Sequence, residues 1–97
     1  MSDGEVGAIA QQLADRIEAL VAQLLPAGVL VQRSYWRVGS LAGEPGQSLC
    51  VYFTGARRGR WRDFSSGEYG DALDLVAAIL FRGELGQAIK WARDWLG

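Results

Sequence analysis

Residues 59–75 read Gly59-Arg60-Trp61-Arg62-Asp63-Phe64-Ser65-Ser66-Gly67-Glu68-Tyr69-Gly70-Asp71-Ala72-Leu73-Asp74-Leu75. Arg60 to Phe64 alternates in polarity, as a half-buried strand does. Two serines and two glycines then mark a turn. Asp71 is a good helix N-cap, and Asp74 three residues on completes a capping box, with a carboxylate in place of the usual Glu or Gln. A strand, a tight turn and a capped helix therefore follow one another directly. On the strand, Arg60 and Arg62 point to one face and Trp61 to the other. The expectation is Trp61 against the helices and the arginines outward.

Working toward the C-terminus, residues 71–82 are apolar almost all round, which predicts a largely buried helix ended by Gly83. A further helix is expected from Glu84 to Leu96, with Leu85, Ala88, Ile89, Ala92, Trp95 and Leu96 along one side. Phe81, Trp91 and Trp95 are expected in the core. Toward the N-terminus, Gly55-Ala56-Arg57-Arg58-Gly59 reads as a hairpin connection and Leu49 to Phe53 as the strongest strand. Gly39 to Gly46, with three glycines and Pro45, is a loop. Ser34–Val38 and Val29–Val31 are shorter strand signals. Ile9, Leu13, Ile17, Leu20, Val21 and Leu24 recur at helical steps, predicting an amphipathic helix over 7–25 that Pro26 and Gly28 stop. The fold class expected is α+β: one domain over 1–97, with a small antiparallel sheet at 29–64 packed by three helices, one at 7–25 and two within 71–96.

The 97 residues are 49% hydrophobic and 22% charged, a globular balance. No apolar run approaches the roughly 20 residues that span a bilayer. The short acidic start, Met1 to Glu5, does not read as a targeting signal, so a cytoplasmic location and no membrane partner are expected. One cysteine and no histidine are present. A Cys/His zinc site and histidine base catalysis are thereby excluded. Cys50 sits in an alternating stretch and reads as a buried thiol.

Net charge is −1, but it is unevenly spread. Residues 1–32 set one arginine against four acids, for −3. Residues 33–62 set six arginines against Glu44, for +5, and residues 63–97 set three cations against six acids, for −3. An all-arginine basic centre favours bidentate contact with phosphate and stacking on flat rings.

From about Tyr35 to Leu96 the chain resembles the zinc-ribbon domain at the front of bacterial and phage DNA primases. The likeness lies in Ser48-Leu49 and the alternation after it, in Trp61 to Phe64, in the Gly67 to Leu75 turn and helix start, and in Glu84 to Trp95. The family's four zinc ligands fall near Gly39, Ala42, Asp63 and Ser66, none of them Cys or His. The chain thus resembles a metal-free branch carried by phages, plasmids and integrated elements. The resemblance implies single-stranded template binding, with synthesis performed by a separate Toprim-type domain of a longer protein or a partner. Hydrophobic burial would have to replace the roughly 10 kcal/mol or more that a structural zinc can supply.

These readings converge on a noncatalytic nucleic-acid-binding module without cofactor or metal. Arg37, Arg57, Arg58, Arg60, Arg62 and Trp36 are its candidate contacts to single-stranded DNA. Trp36 and Trp61 are each flanked by arginine, Arg37 after Trp36 and Arg60 and Arg62 around Trp61. Asp63, Glu68, Asp71 and Asp74 read as turn and cap residues rather than a catalytic cluster. The alternative is an accessory domain that docks onto a primase or helicase of a mobile element through its first helix.

Overall fold

The computed structural model describes residues 3–97. In chain order the elements are α1 (Asp3–Asp15), α2 (Ile17–Leu24), β1 (Val29–Val31), β2 (Tyr35–Val38), β3 (Leu49–Tyr52), β4 (Trp61–Asp63), β5 (Tyr69–Gly70), α3 (Ala72–Leu80) and α4 (Leu85–Leu96), with a 3₁₀ turn at Gly55–Arg57 between β3 and β4. The five strands form one antiparallel meander in the order β1-β2-β3-β4-β5. This is the expected α+β class, a small antiparallel sheet with helices packed against it.

The helix expected at 7–25 is two helices, so the described residues hold four rather than three. The break falls at Arg16, whose backbone leaves helical geometry (φ −116°, ψ 28°). Its cause is a side chain inserted into the helical ladder. The Arg58 guanidinium donates to the Asp15 carbonyl at 3.0 Å, and the chain turns there. The sheet also runs past 64. β5 pairs Tyr69 with Arg62 and Gly70 with Trp61, so the glycine-rich turn carries a short edge strand before the helix.

The meander's register sorts side chains into two faces, because directly opposed residues share a face. Trp36, Val51 and Trp61 lie in one inner row, and Val38, Leu49 and Asp63 in the next. These apolar residues join Leu13, Ile17, Leu20, Val21, Leu73, Leu75, Val76 and Ile89 of the helices in a single core. The outer face carries the row Val29, Arg37, Cys50, Arg62 and Tyr69, and beside it Val31, Tyr35 and Tyr52. None of these belongs to the core cluster.

Local chemistry explains the joints. The capping box forms as read: the Asp71 carboxylate accepts from the Asp74 N–H at 2.9 Å, and Asp74 accepts from the Asp71 N–H at 3.0 Å. The β1–β2 hairpin closes with a 2.9 Å bond from the Ser34 N–H to the Val31 carbonyl. Its central residues, Gln32 and Arg33, both have positive φ (51° and 59°), the type I′ geometry that usually selects Asn-Gly. Phe81, Trp91 and Trp95 pack on the core from its rim and are only partly buried. Trp91 and Trp95 stack with centroids 6.0 Å apart, and the Trp95 indole donates to Gln23 at 2.7 Å. Among the described residues no helix is long and apolar enough to cross a membrane.

Candidate nucleic-acid interface

The outer face of the sheet brings together four of the six residues singled out from the sequence. Arg37 and Arg62 flank Cys50 in one row. Arg60 joins them because the β3–β4 ladder continues past Trp61, where the Tyr52 N–H donates to the Arg60 carbonyl at 2.8 Å. Arg57, on the 3₁₀ turn, folds back so that its guanidinium lies 5.5 Å from the Tyr52 ring centroid. Arg57, Arg60 and Arg62 are exposed and Arg37 is half-buried. Among the described residues none of the four forms an ion pair. The Arg37 Nε is buried without a hydrogen-bond partner.

Aromatic rings interleave with these charges. Tyr35 and Tyr52 pair at 6.3 Å with a 55° tilt. Arg62 lies 5.2 Å over the Phe64 ring. Phe64 is 61% exposed and Tyr69 74%. A guanidinium resting on a ring keeps its N–H edge open to an anion. These four aromatic residues were missed as site residues. The signal was the period of two, which sets Tyr35 with Arg37, Tyr52 with Cys50, and Phe64 with Arg62 on one face. Cys50 is buried between Arg37 and Arg62. Burial pushes its thiol above the ordinary value, with Arg37 acting in the opposite direction, which does not favour a reactive thiolate.

The other two candidates are placed elsewhere. Arg58 turns to the helical side. It holds Glu18 through both carboxylate oxygens at 2.7 Å and donates to the Phe53 carbonyl at 2.6 Å and the Asp15 carbonyl at 3.0 Å. The Arg58 hydrogen bond holds the Glu18 carboxyl below its ordinary value, although burial opposes this. Next to it, Gly59 has φ +83° and lies so close to Ala14 that a side chain there would collide. Arg58 is therefore a staple between the hairpin and the α1–α2 break rather than an open contact. Trp36 also belongs to the inner side. Its indole donates to the Leu25 carbonyl at 2.9 Å, and its ring stacks on Phe53 at 6.2 Å. It supports the core and is not a platform on the outer face. Trp61 is 4% exposed, with its indole donating to the Asp71 carbonyl at 3.0 Å, as the alternation around it predicts.

Of Gly39, Ala42, Asp63 and Ser66, the positions where the resemblance would expect zinc ligands, Asp63 carries the one carboxylate and none carries a thiol or imidazole. Asp63 is the buried charged residue of the inner face, 4% exposed. Its carboxylate accepts from the Ser65 N–H at 2.9 Å and the Ser65 hydroxyl at 2.7 Å. Burial alone would raise its carboxyl, yet the donors on Ser65 and Ser66 hold it below the ordinary value. Asp63 thereby ties the turn that follows β4. Among the described residues no three Cys, Asp or Glu converge to hold a metal ion.

Two cavities border Tyr69. One, of about 330 Å³, opens on the outer face between Tyr52, Arg57, Arg60, Arg62, Phe64 and Tyr69. The other, of about 480 Å³, lies toward α3 and is lined by Glu68, Asp74, Ala77 and Leu85 without an arginine. There, burial pushes the Asp74 carboxyl up, its bond from the Asp71 N–H acting in the opposite direction. The apolar stripe of the first helix is not a free surface: Ile9, Leu13, Ile17, Leu20 and Val21 lie in the core. No protein-family model, no curated protein and no solved structure matches the chain.

Proposed function

We propose that the chain is a noncatalytic module that binds single-stranded DNA across the outer face of its sheet. The observation that carries this reading is the set of arginines Arg37, Arg57, Arg60 and Arg62, without an ion pair among the described residues, interleaved with Tyr35, Tyr52, Phe64 and Tyr69 on the sheet face that lies outside the core cluster. Arginines supply sequence-independent attraction to phosphates, and flat rings supply stacking that tolerates any base. The rings favour single strands, because a duplex keeps its bases stacked on one another and its edges in grooves. The primase-like pattern of residues 35–96 supports a template strand as the ligand, within a replication protein of a mobile element. The docking alternative would need the stripe of the first helix uncovered, and that stripe is in the core. Asp71 and Asp74 are engaged in a helix cap, which supports a noncatalytic role.

The test is fluorescence anisotropy with a labelled single-stranded oligonucleotide over a salt series. Four phosphate contacts would give a log–log salt slope of roughly −2 to −3, at about −0.7 per contact. The Arg57→Glu/Arg60→Glu/Arg62→Glu variant should lose most binding, and Arg58→Ala should keep it. Equal affinity of the triple variant and the unaltered chain would falsify the assignment.

A further inference from the structure

Resting on that reading, we infer that the 330 Å³ cavity of the outer face is a subsite for one unstacked nucleotide. Its volume is at the lower end of the roughly 300–1,000 Å³ typical of small-ligand sites, enough for one nucleotide rather than a stacked pair. The walls differ in chemistry. At one end Arg62 lies over Phe64, and Tyr69 stands beside Arg62 across the β4–β5 pair. At the other end Arg57 lies over Tyr52, with Arg60 opposite Tyr52. The strand after Tyr69 offers only Gly70, so no further β5 side chain closes the mouth.

This arrangement fits one base and its two flanking phosphates. The rings of Phe64 and Tyr69 are the most exposed aromatic surfaces of the molecule's described residues, so both offer ring surface to a base. Arg57 and Arg60 then face the phosphate on one side, and Arg62 the phosphate on the other. Each guanidinium is already backed by a ring or a strand and, among the described residues, forms no ion pair that must be released. Elsewhere on the face, the Tyr35 and Tyr52 rings are already packed against each other. The base is therefore read at one position of the bound strand, and the neighbouring nucleotides contribute through their phosphates.

The experiment uses the full chain and three strands of equal length and charge. One is built wholly of abasic residues, one has a single central thymidine restored, and one has two adjacent thymidines restored. One base should tighten binding roughly 5- to 150-fold, the range expected for one base–aromatic stack, and a second should add less than about twofold. Phe64→Ala/Tyr69→Ala should abolish the one-base gain while retaining affinity for the abasic strand. Both side chains are exposed, so this variant is expected to fold, which its thermal unfolding checks. If the abasic strand binds as tightly as the one-base strand, or if the gain survives the double variant, the subsite is overturned while DNA binding stands. If no strand binds at all, the parent reading falls with it.

Discussion

The two faces of the five-stranded sheet are made from alternate residues of the same strands, yet they answer to different demands. On β4, Trp61 is buried with its indole on the Asp71 carbonyl, while its neighbour Arg62 is exposed beside Phe64. On β2, Trp36 is bonded to Leu25 on the inner side, while Arg37 lies in the outer row with an unpartnered Nε. The inner face carries one charged group, Asp63, and satisfies it. The outer face carries several and leaves them unpaired. Buried polar groups are costly unless bonded, a cost that the Arg37 Nε bears, whereas exposed groups such as the Arg60 and Arg62 guanidinium ions are free to serve a ligand. The inner face is thus organised for stability, and the outer face keeps most of its charges in solvent.

Substitutions on neighbouring positions sharpen or break this contrast. The largest effect belongs to Trp61→Ala, which should lose about 3–5 kcal/mol of folding stability through the cavity it leaves. Tyr69→Ala, on the other face, should stay within about 0.5 kcal/mol. Urea unfolding of both variants measures the difference, and similar losses would erase the distinction between the faces.

Next comes Asp63→Ala, expected to destabilise by about 1–3 kcal/mol at neutral pH by removing the acceptor for Ser65. Its folded carboxyl lies below the ordinary value, so the sign is that of a depressed acid. Its stabilisation is present above the unfolded value near 4 and is lost as pH falls through the folded one. Thermal unfolding at pH 7 and pH 3 should show the gap to the unaltered chain narrowing in acid. A gap of constant size would mean that the charge is not what stabilises the turn.

The smallest effect separates two adjacent arginines. Arg58→Ala should cost about 1 kcal/mol, since its pair with Glu18 is partly exposed and such pairs contribute little. Arg57→Ala should leave stability unchanged and weaken oligonucleotide binding, a pattern that Arg58→Ala should reverse. Parallel melting and binding curves for the two variants decide it, and matching profiles would place both arginines on the same side.

Much of the fold was legible because its signals are local. The Asp71–Asp74 box, the stop at Pro26 and the alternation through Trp61 depend on residues within one turn or one strand of each other. The break at Arg16 was not legible, because it depends on Arg58, which approaches Asp15 from 43 positions away. The I′ turn at Gln32-Arg33 carries no turn residue; pairing of β1 with β2 imposes its positive φ. The candidate site was half legible. Arginine clustering is visible in the chain, but the four rings beside it come from four separate segments that only the strand register aligns.

Sequence periodicity and cap chemistry alone dictate an α+β chain with a basic, arginine-only centre and without ligands for a Cys/His zinc site. Which arginines stay open is settled by packing. Arg57 and Arg58 are chemically identical neighbours, but the close seat of Gly59 on Ala14 turns the Arg58 guanidinium onto Glu18 and the Asp15 carbonyl, while Arg57 is left over Tyr52 on the outer face. A side chain's type is a local property; its freedom to meet a ligand depends on partners that arrive from distant parts of the chain.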